Sequence, residues 1–139
     1  MSTIRVEIVS VEGHIHSGEA TLVICPGRMG ELGIAPRHAP LMTTLRPGEV
    51  RLQGEGKEEH FFYVTGGILE VQPSQVTIMA DTALRGDQLD EQAAESARRE
   101  AEEALQGAAT KEDLAHAQEQ LVEAAARYRA VQRWKGKRT

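Results

Sequence analysis

The residues of this 139-residue chain with the clearest potential for chemistry are its histidines and its single cysteine. His14 and His16 are two positions apart, so on a strand both side chains would point to the same face. With His38, His60 and Cys25 they supply the nitrogen and sulfur ligands that zinc prefers. No second cysteine accompanies Cys25, which lies in an apolar segment where a buried, unreactive thiol is the common outcome. The pattern therefore predicts no metal site.

Residues that could cleave bonds are also poorly arranged. Glu58 and Glu59 lie in a polar turn, which is an unfavourable setting for a pair of catalytic carboxylates. The Gly-Arg-Met-Gly turn at 27–30 lacks the Gly-Lys-Ser/Thr ending of a phosphate loop and precedes a strand, whereas a phosphate loop precedes a helix. The serines do not lie in a nucleophile elbow, namely Ser10, Ser17, Ser74 and Ser96. We therefore predict a protein that is not an enzyme.

Composition limits the class of protein. Hydrophobic residues make up 40% and charged residues 27% of the chain, close to the average of soluble globular proteins. No apolar run approaches the roughly 20 residues that span a bilayer, and the chain lacks a secretory signal at its start. A single cysteine cannot form an internal disulfide, as is usual in a reducing compartment. The net charge of -5 argues against a nucleic-acid partner. These observations predict a soluble, cytoplasmic protein.

The chain changes its pattern near residue 86. Up to that point apolar and polar residues tend to alternate, and glycine and proline recur at short intervals, as in a sandwich or barrel of short antiparallel strands. Because no helix separates these strands, parallel crossovers are disfavoured. Beginning with Ile4, Val6 and Ile8 on one face of a first strand, further strands are predicted at 20–25, 32–35, 42–45, 50–53, 60–65, 68–72 and 76–80.

After residue 86 no proline occurs and the pattern becomes helical. Asp87 and Asp90 are suitable N-caps for a first helix of about 17 residues, which Gly107 ends. Thr110 opens a second helix of about 24 residues through a variant of the capping box. Two antiparallel helices joined by a short loop form a hairpin. The facing stripes are predicted to be Ala93, Ala97, Ala101, Ala104 and Leu105 in the first helix and Leu114, Ala117, Leu121, Ala124, Tyr128 and Val131 in the second.

The predicted seam between these helices is rich in alanine. A buried methyl contributes about 0.8 kcal/mol, against roughly 1.5 to 3 kcal/mol for a buried leucine side chain. The hairpin should therefore close tightly but hold weakly, and once open it would reach roughly 60 Å at 1.5 Å per residue. Such an element suits a conformational switch, and it equally suits a small static cap.

Charge is segregated within the helical part. Residues 87–126 hold eleven acidic and three basic residues, whereas residues 127–139 hold six basic residues and no acid. A cationic end of this kind can dock on an acidic protein surface, a membrane headgroup layer or nucleic acid, and it is also typical of a solvated terminus. The basic residues are Arg127, Arg129, Arg133, Lys135, Lys137 and Arg138.

The most specific segment is Gly-Glu-Leu-Gly-Ile-Ala-Pro-Arg-His-Ala-Pro-Leu at 30–41, followed by Thr-Gly-Gly-Ile-Leu-Glu-Val at 65–71. The turn at 29–31 is predicted to be exposed at one end of the sandwich, where partners are usually met. Pro36 and Pro40 stiffen the following chain. The two prolines are suited either to docking a fixed surface against a partner or to protecting an edge strand.

These two segments, together with the alanine-rich tail, closely resemble the epsilon subunit of bacterial F-type ATP synthases, from residue 3 to about 131. The resemblance implies a β + α architecture: an N-terminal antiparallel β-sandwich of about ten short strands at 1–86 and a C-terminal antiparallel two-helix hairpin at 87–139. It also implies a non-catalytic rotor subunit in the central stalk of a proton-translocating ATP synthase. Such a subunit lies at the cytoplasmic face of the bacterial inner membrane and is membrane-associated only through the complex.

The resemblance further assigns partners by position. Epsilon subunits bind the gamma subunit and rest on the ring of c subunits. The residues similar to the loop that meets the c ring are Gly30, Glu31 and Leu32. The residues similar to part of the gamma-facing surface are His38, Ala39, Pro40, Leu41 and Met42.

The helical tail of bacterial epsilon subunits can extend along gamma toward the alpha and beta subunits, where it inhibits ATP hydrolysis. By this resemblance, the cationic end here would complement an acidic segment of beta. The residues to which the resemblance gives this inhibitory role are Arg127, Arg129, Arg133 and Lys135.

Some relatives also bind ATP on the folded hairpin, through a motif of Ile or Leu, Asp, two variable residues, Arg and Ala. In this chain Ala93 stands where the motif has arginine, which removes a guanidinium partner for phosphate. We therefore expect no cofactor, although the pattern leaves open whether Arg98 or Arg99 substitutes. The alternative functions are a free-standing ATP-sensing module and a small metalloenzyme. The residues that still match an ATP site are Asp90, Ala94 and Arg129.

Overall fold

The computed structural model describes residues 2–56, 58–86 and 91–138, with side chains as far as Trp134. The chain divides into two compact units, Met1–Gly86 and Asp87–Thr139. In the described residues the first unit consists of ten strands and the second of two helices. The predicted architecture of an antiparallel β-sandwich followed by a two-helix hairpin is confirmed.

The strands of the first unit form one continuous sheet with the order β10-β7-β6-β3-β5-β8-β9-β1-β2, and β4 lies beside β3. All pairs are antiparallel except β1 with β9. The expectation that parallel pairing is disfavoured fails for this pair, because seven strands intervene in the chain and no tight crossover is needed. The bounds are β1 Ile4–Ser10, β2 Gly13–Ala20, β3 Leu22–Gly27, β4 Gly30–Ile34, β5 Leu41–Leu45, β6 Gly48–Gln53, β7 Glu59–Val64, β8 Gly67–Gln72, β9 Gln75–Ala80 and β10 Ala83–Arg85.

Strand β3 is where this sheet turns from one layer of the sandwich into the other. Its first residues pair with β6, whereas its last residue, Gly27, pairs with Leu45 of β5. One layer therefore contains β10, β7, β6, β3 and β4, and the other contains β5, β8, β9, β1 and β2. The inward faces of the two layers meet in a core that is made mainly of branched aliphatic side chains, including Ile4, Val6, Ile8, Val23, Val50, Leu69 and Ile78.

Cys25 belongs to this core and is fully buried. Burial raises the pKa of its thiol to about 12. The thiol is therefore neutral at physiological pH and lacks the thiolate character that reactive cysteines need. The prediction of a buried, unreactive cysteine is confirmed.

Two strands were missed by the sequence pattern. β2 has the sequence Gly-His-Ile-His-Ser-Gly-Glu-Ala, which contains one β-branched apolar residue and two glycines. It forms because its backbone pairs along the whole of β1, from Ile4 with Ala20 to Ser10 with Gly13. β10 has three residues and pairs with the buried strand β7. Backbone pairing to an adjacent apolar strand therefore overrides weak local propensity in both cases.

The second unit contains α1 Glu91–Gln106, of 16 residues, and α2 Lys111–Arg138, of 28 residues. The Gly107 N–H donates to the Glu103 carbonyl at 3.0 Å, which ends α1 as predicted. The Asp113 N–H donates to Thr110 Oγ1 at 3.0 Å, so the predicted N-cap of α2 is confirmed. The predicted caps Asp87 and Asp90 lie outside the described residues.

The two helices run antiparallel and pack against each other. Gln132 donates to Glu91 at 3.2 Å, which joins the end of α2 to the start of α1. The predicted seam is right for most positions but wrong for Ala93 and Ala104, which are exposed. The buried residues Ala94 and Ala101 are seven apart, so they mark the centre of the face of α1 that packs on α2. At about 100° per residue, Ala93 and Ala104 lie to one side of that centre. Leu114, in the first turn of α2, is exposed as well. The buried seam residues are Ala94, Ala101, Ala117, Ala124 and Val131.

The backbone conformation and surroundings of Gly67 leave no room for a side chain. Its φ is +140°, and an added Cβ would overlap the Met79 carbonyl and lie 2.8 Å from Ala80 Cα. We expect Gly67→Ala to lower the free energy of unfolding by at least about 3 kcal/mol, because backbone strain and a clash with the neighbouring strand add together. Urea unfolding, followed by hydrogen exchange of core amides, measures this loss.

Gly13→Ala is the matched control for this prediction. Gly13 has a similar φ of +129°, but an added Cβ meets nothing within 4 Å. Its cost is therefore backbone strain alone, about 1 kcal/mol. Equal losses in the two variants would contradict the assignment of a steric clash at Gly67.

Candidate functional site: two exposed surfaces and a helical hairpin

The first candidate surface is the tip of the β3–β4 hairpin. Gly27 pairs with Gly30 across a two-residue turn, so Arg28 and Met29 form the tip. Gly30 has a φ of +132°, which favours glycine. The Met29 side chain is 96% exposed, and Glu31 is exposed beside it. The prediction of an exposed turn at 29–31 is confirmed.

An ion pair links this tip to the neighbouring part of the sheet. Arg51 Nη2 of β6 lies 3.1 Å from Glu31 Oε1 of β4. The Glu31 side chain is 58% exposed and the Arg51 side chain 24%. On the inner side of the hairpin, Leu32 is partly buried and packs against the core. The tip is therefore held on both faces of its strand.

The second candidate surface is the outer face of the layer that contains β5, β8, β9, β1 and β2. Cross-strand pairing places Thr44 beside Ile68, Ile68 beside Met79, and Met79 beside Val9. Met42 lies two residues from Thr44 on the same face of β5. Met42, Ile68 and Met79 are 66%, 42% and 38% exposed. We call Met42, Ile68 and Met79 the apolar strip.

A polar network borders the apolar strip on β1 and β2. Ser17 donates to Glu7 Oε1 at 2.7 Å, and His14 Nε2 lies 3.1 Å from Glu7 Oε2. Arg5 Nη2 lies 2.9 Å from Glu7 Oε1. The hydrogen bonds from Ser17, His14 and Arg5 hold the pKa of the Glu7 carboxyl below its usual value. An apolar centre with a charged, hydrogen-bonded border is typical of a protein-binding surface.

The structure separates the two groups of residues that were assigned to partners. Gly30, Glu31 and Leu32 lie at the hairpin tip, beside the Leu45 end of β5. His38, Ala39, Pro40, Leu41 and Met42 lie before and at the other end of β5, which is about 13 Å away along the strand. They therefore belong to two different surfaces.

Within the second group, the side chains differ in their exposure. His38 is half-buried, and its Nδ1 lies 2.7 Å from the Ala39 carbonyl. Ala39 and Pro40 are exposed, whereas Leu41 is partly buried and packs against the core. Met42 therefore provides the exposed apolar contact of this group.

Sequence reasoning missed four residues of these surfaces. Ile68 and Met79 were assigned to strands without a role, and Glu7 and Arg51 were not singled out. The sequence does carry a signal for Ile68 and Met79. Their strands, β8 and β9, have apolar residues on both faces, whereas a strand with one face in solvent needs them on one face only. For Glu7 and Arg51 there is no such signal, because Ser17 lies ten positions from Glu7 and Glu31 lies twenty positions from Arg51.

The two ends of the strand order meet through side chains. Arg85 of β10 donates to the Ile15 carbonyl of β2. The ring of His16 lies 5.1 Å from that of His60 and 5.2 Å from that of Phe62, measured between centroids. Histidines from both layers therefore close the sandwich. Within the described residues no three histidine, cysteine or carboxylate side chains are grouped as a metal ion requires.

In the helical hairpin, both arginines considered as replacements for the motif arginine have partners within the hairpin. Arg98 lies over the ring of Tyr128 at 4.9 Å and pairs with Glu102 at 3.5 Å. Arg99 pairs with Glu95 at 3.0 Å on the exposed side of α1.

The residues considered for an ATP site differ in their exposure. Ala93 is exposed and Ala94 is fully buried in the helix seam. Arg129 is exposed on α2. Asp90 lies outside the described residues.

The cations at the end of α2 occupy different faces of the helix. Arg127 is half-buried and lines a shallow cavity of about 290 Å³ between the helices, together with Ala97, Ala101 and Ala124. Arg129 and Arg133 are exposed and four residues apart, so they share one face. The side chain of Lys135 lies outside the described residues. No described helix combines the length and apolarity required to cross a bilayer.

Comparison with solved structures shows that the fold is shared. The chain superposes on a subunit of the Euglena gracilis mitochondrial ATP synthase, in a structure containing OSCP, F1 and the c-ring, with a TM-score of 0.84. The match covers 94% of this chain and 82% of that chain at 18% identity. A subunit from the central stalk and c-ring structure of the Tetrahymena thermophila mitochondrial ATP synthase gives a TM-score of 0.68 at 13% identity, covering 94% and 97%.

Comparison with protein families is decisive. Residues 3–86 match the β-sandwich domain of the ATP synthase delta/epsilon chain, and residues 87–132 match its long α-helix domain. The chain is 57% identical to the ATP synthase epsilon chain of Alkalilimnicola ehrlichii over 133 residues, covering 96% of this chain and 95% of that protein. For the epsilon chain of Delftia acidovorans the identity is 51% over 138 residues, covering 99% and 100%.

The chain therefore belongs to the ATP synthase delta/epsilon chain family. The resemblance to the bacterial epsilon subunit, inferred from the segments at 30–41 and 65–71 and from the helical tail, is confirmed.

The histidine contact between the layers makes stability depend on pH. Burial and the nearby His60, Arg85 and His14 lower the pKa of His16 from 6.5, and Glu7 opposes them. Between this lowered pKa and 6.5 the unfolded chain binds more protons than the folded chain. The free energy of unfolding is therefore expected to fall as pH decreases below about 6.5, and to be restored above it.

We expect this decrease to be smaller in His16→Phe and His16→Gln, because neither residue titrates. The phenylalanine keeps a ring against Phe62, and glutamine does not, so the pair separates titration from ring packing. Urea unfolding at about pH 7.5 and about pH 5.5 measures the change. If both variants lose as much stability as the wild type on acidification, His16 is not the responsible group.

Proposed function

We propose that this chain is a non-catalytic rotor subunit in the central stalk of a bacterial, proton-translocating ATP synthase, where its sandwich couples the gamma subunit to the c ring. The observation that carries this proposal is the separation of two exposed surfaces on one rigid sheet. A block that transmits torque must hold two partners at once, and its surfaces must not deform independently. The shared sheet meets this requirement, because β3 belongs to the tip and pairs with strands of both layers.

The hairpin tip is the proposed contact with the c ring. Its fixed backbone carries an exposed apolar side chain, Met29, next to an exposed carboxylate, Glu31. This combination fits a polar loop that offers an apolar depression and a hydrogen-bond donor. Membrane association then arises through the complex, at the cytoplasmic face of the inner membrane.

The apolar strip is the proposed contact with gamma. Three exposed apolar side chains on neighbouring strands are a cost to a protein in water, and covering them with a partner removes that cost. The polar network around Glu7 borders the strip and fits the rim of such an interface. Pro40, which precedes β5, fixes the chain that leads into Met42.

The helical hairpin is the proposed regulatory element. Its seam is mostly alanine and encloses a shallow cavity, so the helices make little apolar contact for their length. In the extended form the tail would reach the alpha and beta subunits and inhibit ATP hydrolysis. The exposed cations Arg129 and Arg133 suit an acidic surface on beta, and Arg127 becomes accessible when the hairpin opens.

We propose that the chain performs this role without a cofactor and without nucleic acid. Arg98 and Arg99 both have partners within α1 or α2, so neither supplies the guanidinium that Ala93 lacks. A free-standing ATP-sensing module is the alternative. Titration of the isolated chain with millimolar ATP distinguishes the two, since resonances of α1 and α2 would shift only if nucleotide binds.

The gamma contact is tested by charging the apolar strip. In Ile68→Asp and Met79→Asp a carboxylate replaces an apolar group that would be buried by gamma. We expect the affinity for gamma to fall by at least about ten-fold in each variant. Met29→Asp is the matched control, because Met29 is an exposed methionine at the hairpin tip, outside the apolar strip. Unchanged gamma affinity in both strip variants, with the fold intact by circular dichroism, would refute the assignment.

The regulatory role is tested in the assembled complex by deleting residues 87–139. If the extended state is half-populated, removing the tail should raise ATP hydrolysis about two-fold. Ala97→Leu tests the same equilibrium without a deletion. It fills the cavity in the seam, which should favour the folded hairpin and also raise hydrolysis.

Ser96→Leu is the control for this experiment, because Ser96 is exposed and lies about 200° around α1 from the buried Ala94, so the leucine is added to the side that faces away from α2. We expect it to leave the hydrolysis rate at the wild-type value. An ATPase rate that does not respond to tail deletion would exclude inhibition by the helices.

A further inference from the structure

The β3–β4 hairpin projects from the sandwich with support on one edge. Among the described strands, β4 pairs with β3 and with no other. The turn at its end carries Met29, whose side chain is 96% exposed. A strand paired on one side bends and frays more readily than a strand paired on both sides. A tip that transmits force therefore needs support that the backbone of β4 does not provide.

Arg51 supplies this support from two strands away. Ile24 of β3 pairs with Gly33 of β4 on one side and with Arg51 of β6 on the other. Gly33 and Glu31 share a face of β4, and Gly33 has no side chain to fill the space between Arg51 and Glu31. The guanidinium crosses β3 and reaches the carboxylate at 3.1 Å. The ion pair thus connects three strands.

The contact uses one oxygen of the carboxylate. Arg51 Nη2 donates to Glu31 Oε1, and within the described residues Oε2 has no hydrogen bond. Arg51 Nε is buried and has no partner there either. The guanidinium is therefore held mainly by Glu31, and Glu31 keeps one oxygen and more than half of its side chain available to another molecule.

We infer that Arg51 is a positioning residue, which holds the Glu31 carboxylate so that Oε2 faces a hydrogen-bond donor on the polar loop of the c ring. This inference rests on the proposed contact between the tip and the c ring. It adds that the affinity of this contact depends on a residue of β6 that does not touch the ring. A free carboxylate would sample several rotamers, and fixing it beforehand lowers the entropy lost on binding.

The first measurement uses the isolated chain and does not depend on any partner. Arg51→Gln removes the ion pair, and Glu31→Gln removes its negative charge. We expect hydrogen exchange of the cross-strand amides at Gly30 and Leu32 to become about two- to five-fold faster in both variants. Arg99→Gln is the matched control, since it breaks an exposed arginine–glutamate pair of 3.0 Å on α1.

The second measurement uses membranes depleted of this subunit. Each variant is added back, and the concentration that restores half of the ATP-driven proton pumping is determined. We expect this concentration to rise about three- to ten-fold for Arg51→Gln and for Glu31→Gln, with no rise for Arg99→Gln. The double variant should be no worse than Glu31→Gln alone, because both substitutions act on the same carboxylate.

A charge exchange separates positioning from recognition. In Glu31→Arg with Arg51→Glu the ion pair is restored, but the group at the tip is a cation. We expect amide hydrogen exchange at the tip to become slow again. Proton pumping should remain impaired, because the hydrogen-bond donor on the c ring then meets a cation and not an acceptor. Arg51→Lys keeps the charge without the planar fork, so it should rescue both measurements in part.

The outcomes that overturn the inference are distinct. If Glu31→Gln weakens pumping and Arg51→Gln does not, Arg51 has no positioning role, although the ring contact stands. If the two single effects multiply in the double variant, the residues act independently and the inference is wrong. If Glu31→Gln restores pumping like the wild type, the proposed ring contact itself fails, whatever the exchange rates at the tip show.

Discussion

The structure of the first unit depends on the folding of one ten-stranded sheet at β3 into two facing layers. Each strand has two faces, and the hydrophobic effect requires that one face of every strand be covered by the opposite layer. The core residues Val23, Val50, Leu69 and Ile78 satisfy this requirement from both layers. The other face of each strand is then free to carry other functions. The apolar strip and the charged network around Glu7 exist because the core does not need those positions.

The second unit is stabilised differently. Its helices meet through alanines, with Arg98 over the ring of Tyr128 near the middle of α1 and a cavity beside Ala97 and Ala124. Small side chains allow close approach but bury little apolar area, so the free energy that holds the hairpin closed is small compared with that of the sandwich. The sheet provides a body that keeps its shape, and the hairpin provides an element that can change shape. This contrast fits the proposed role of a subunit that transmits rotation and also responds to the state of its complex.

Sequence reasoning recovered much of the fold and part of the candidate site. The alternation of Ile4, Val6 and Ile8 and the helical caps at Thr110 and Gly107 are local signals, and they were right because local sterics and hydrogen bonds decide them. β2 was missed because its sequence has weak propensity and its partner strand supplies the stability. Ala93 and Ala104 were placed wrongly because the five alanines of α1 span an arc of about 100°, which is wider than the buried face, so the pattern does not fix the angle of the seam.

The sequence by itself determined the two-part architecture, the exposed turn at 29–31, the buried cysteine and the membership of the epsilon-type family. These follow from periodicity, turn chemistry and characteristic segments, which are all properties of neighbouring residues. The tertiary structure alone decided that Arg51 meets Glu31, that Ile68 and Met79 join Met42, and that His16 meets His60. Such contacts depend on strand order and register. A shift of one residue in register turns a side chain to the opposite face, and no local pattern specifies which distant strands become neighbours.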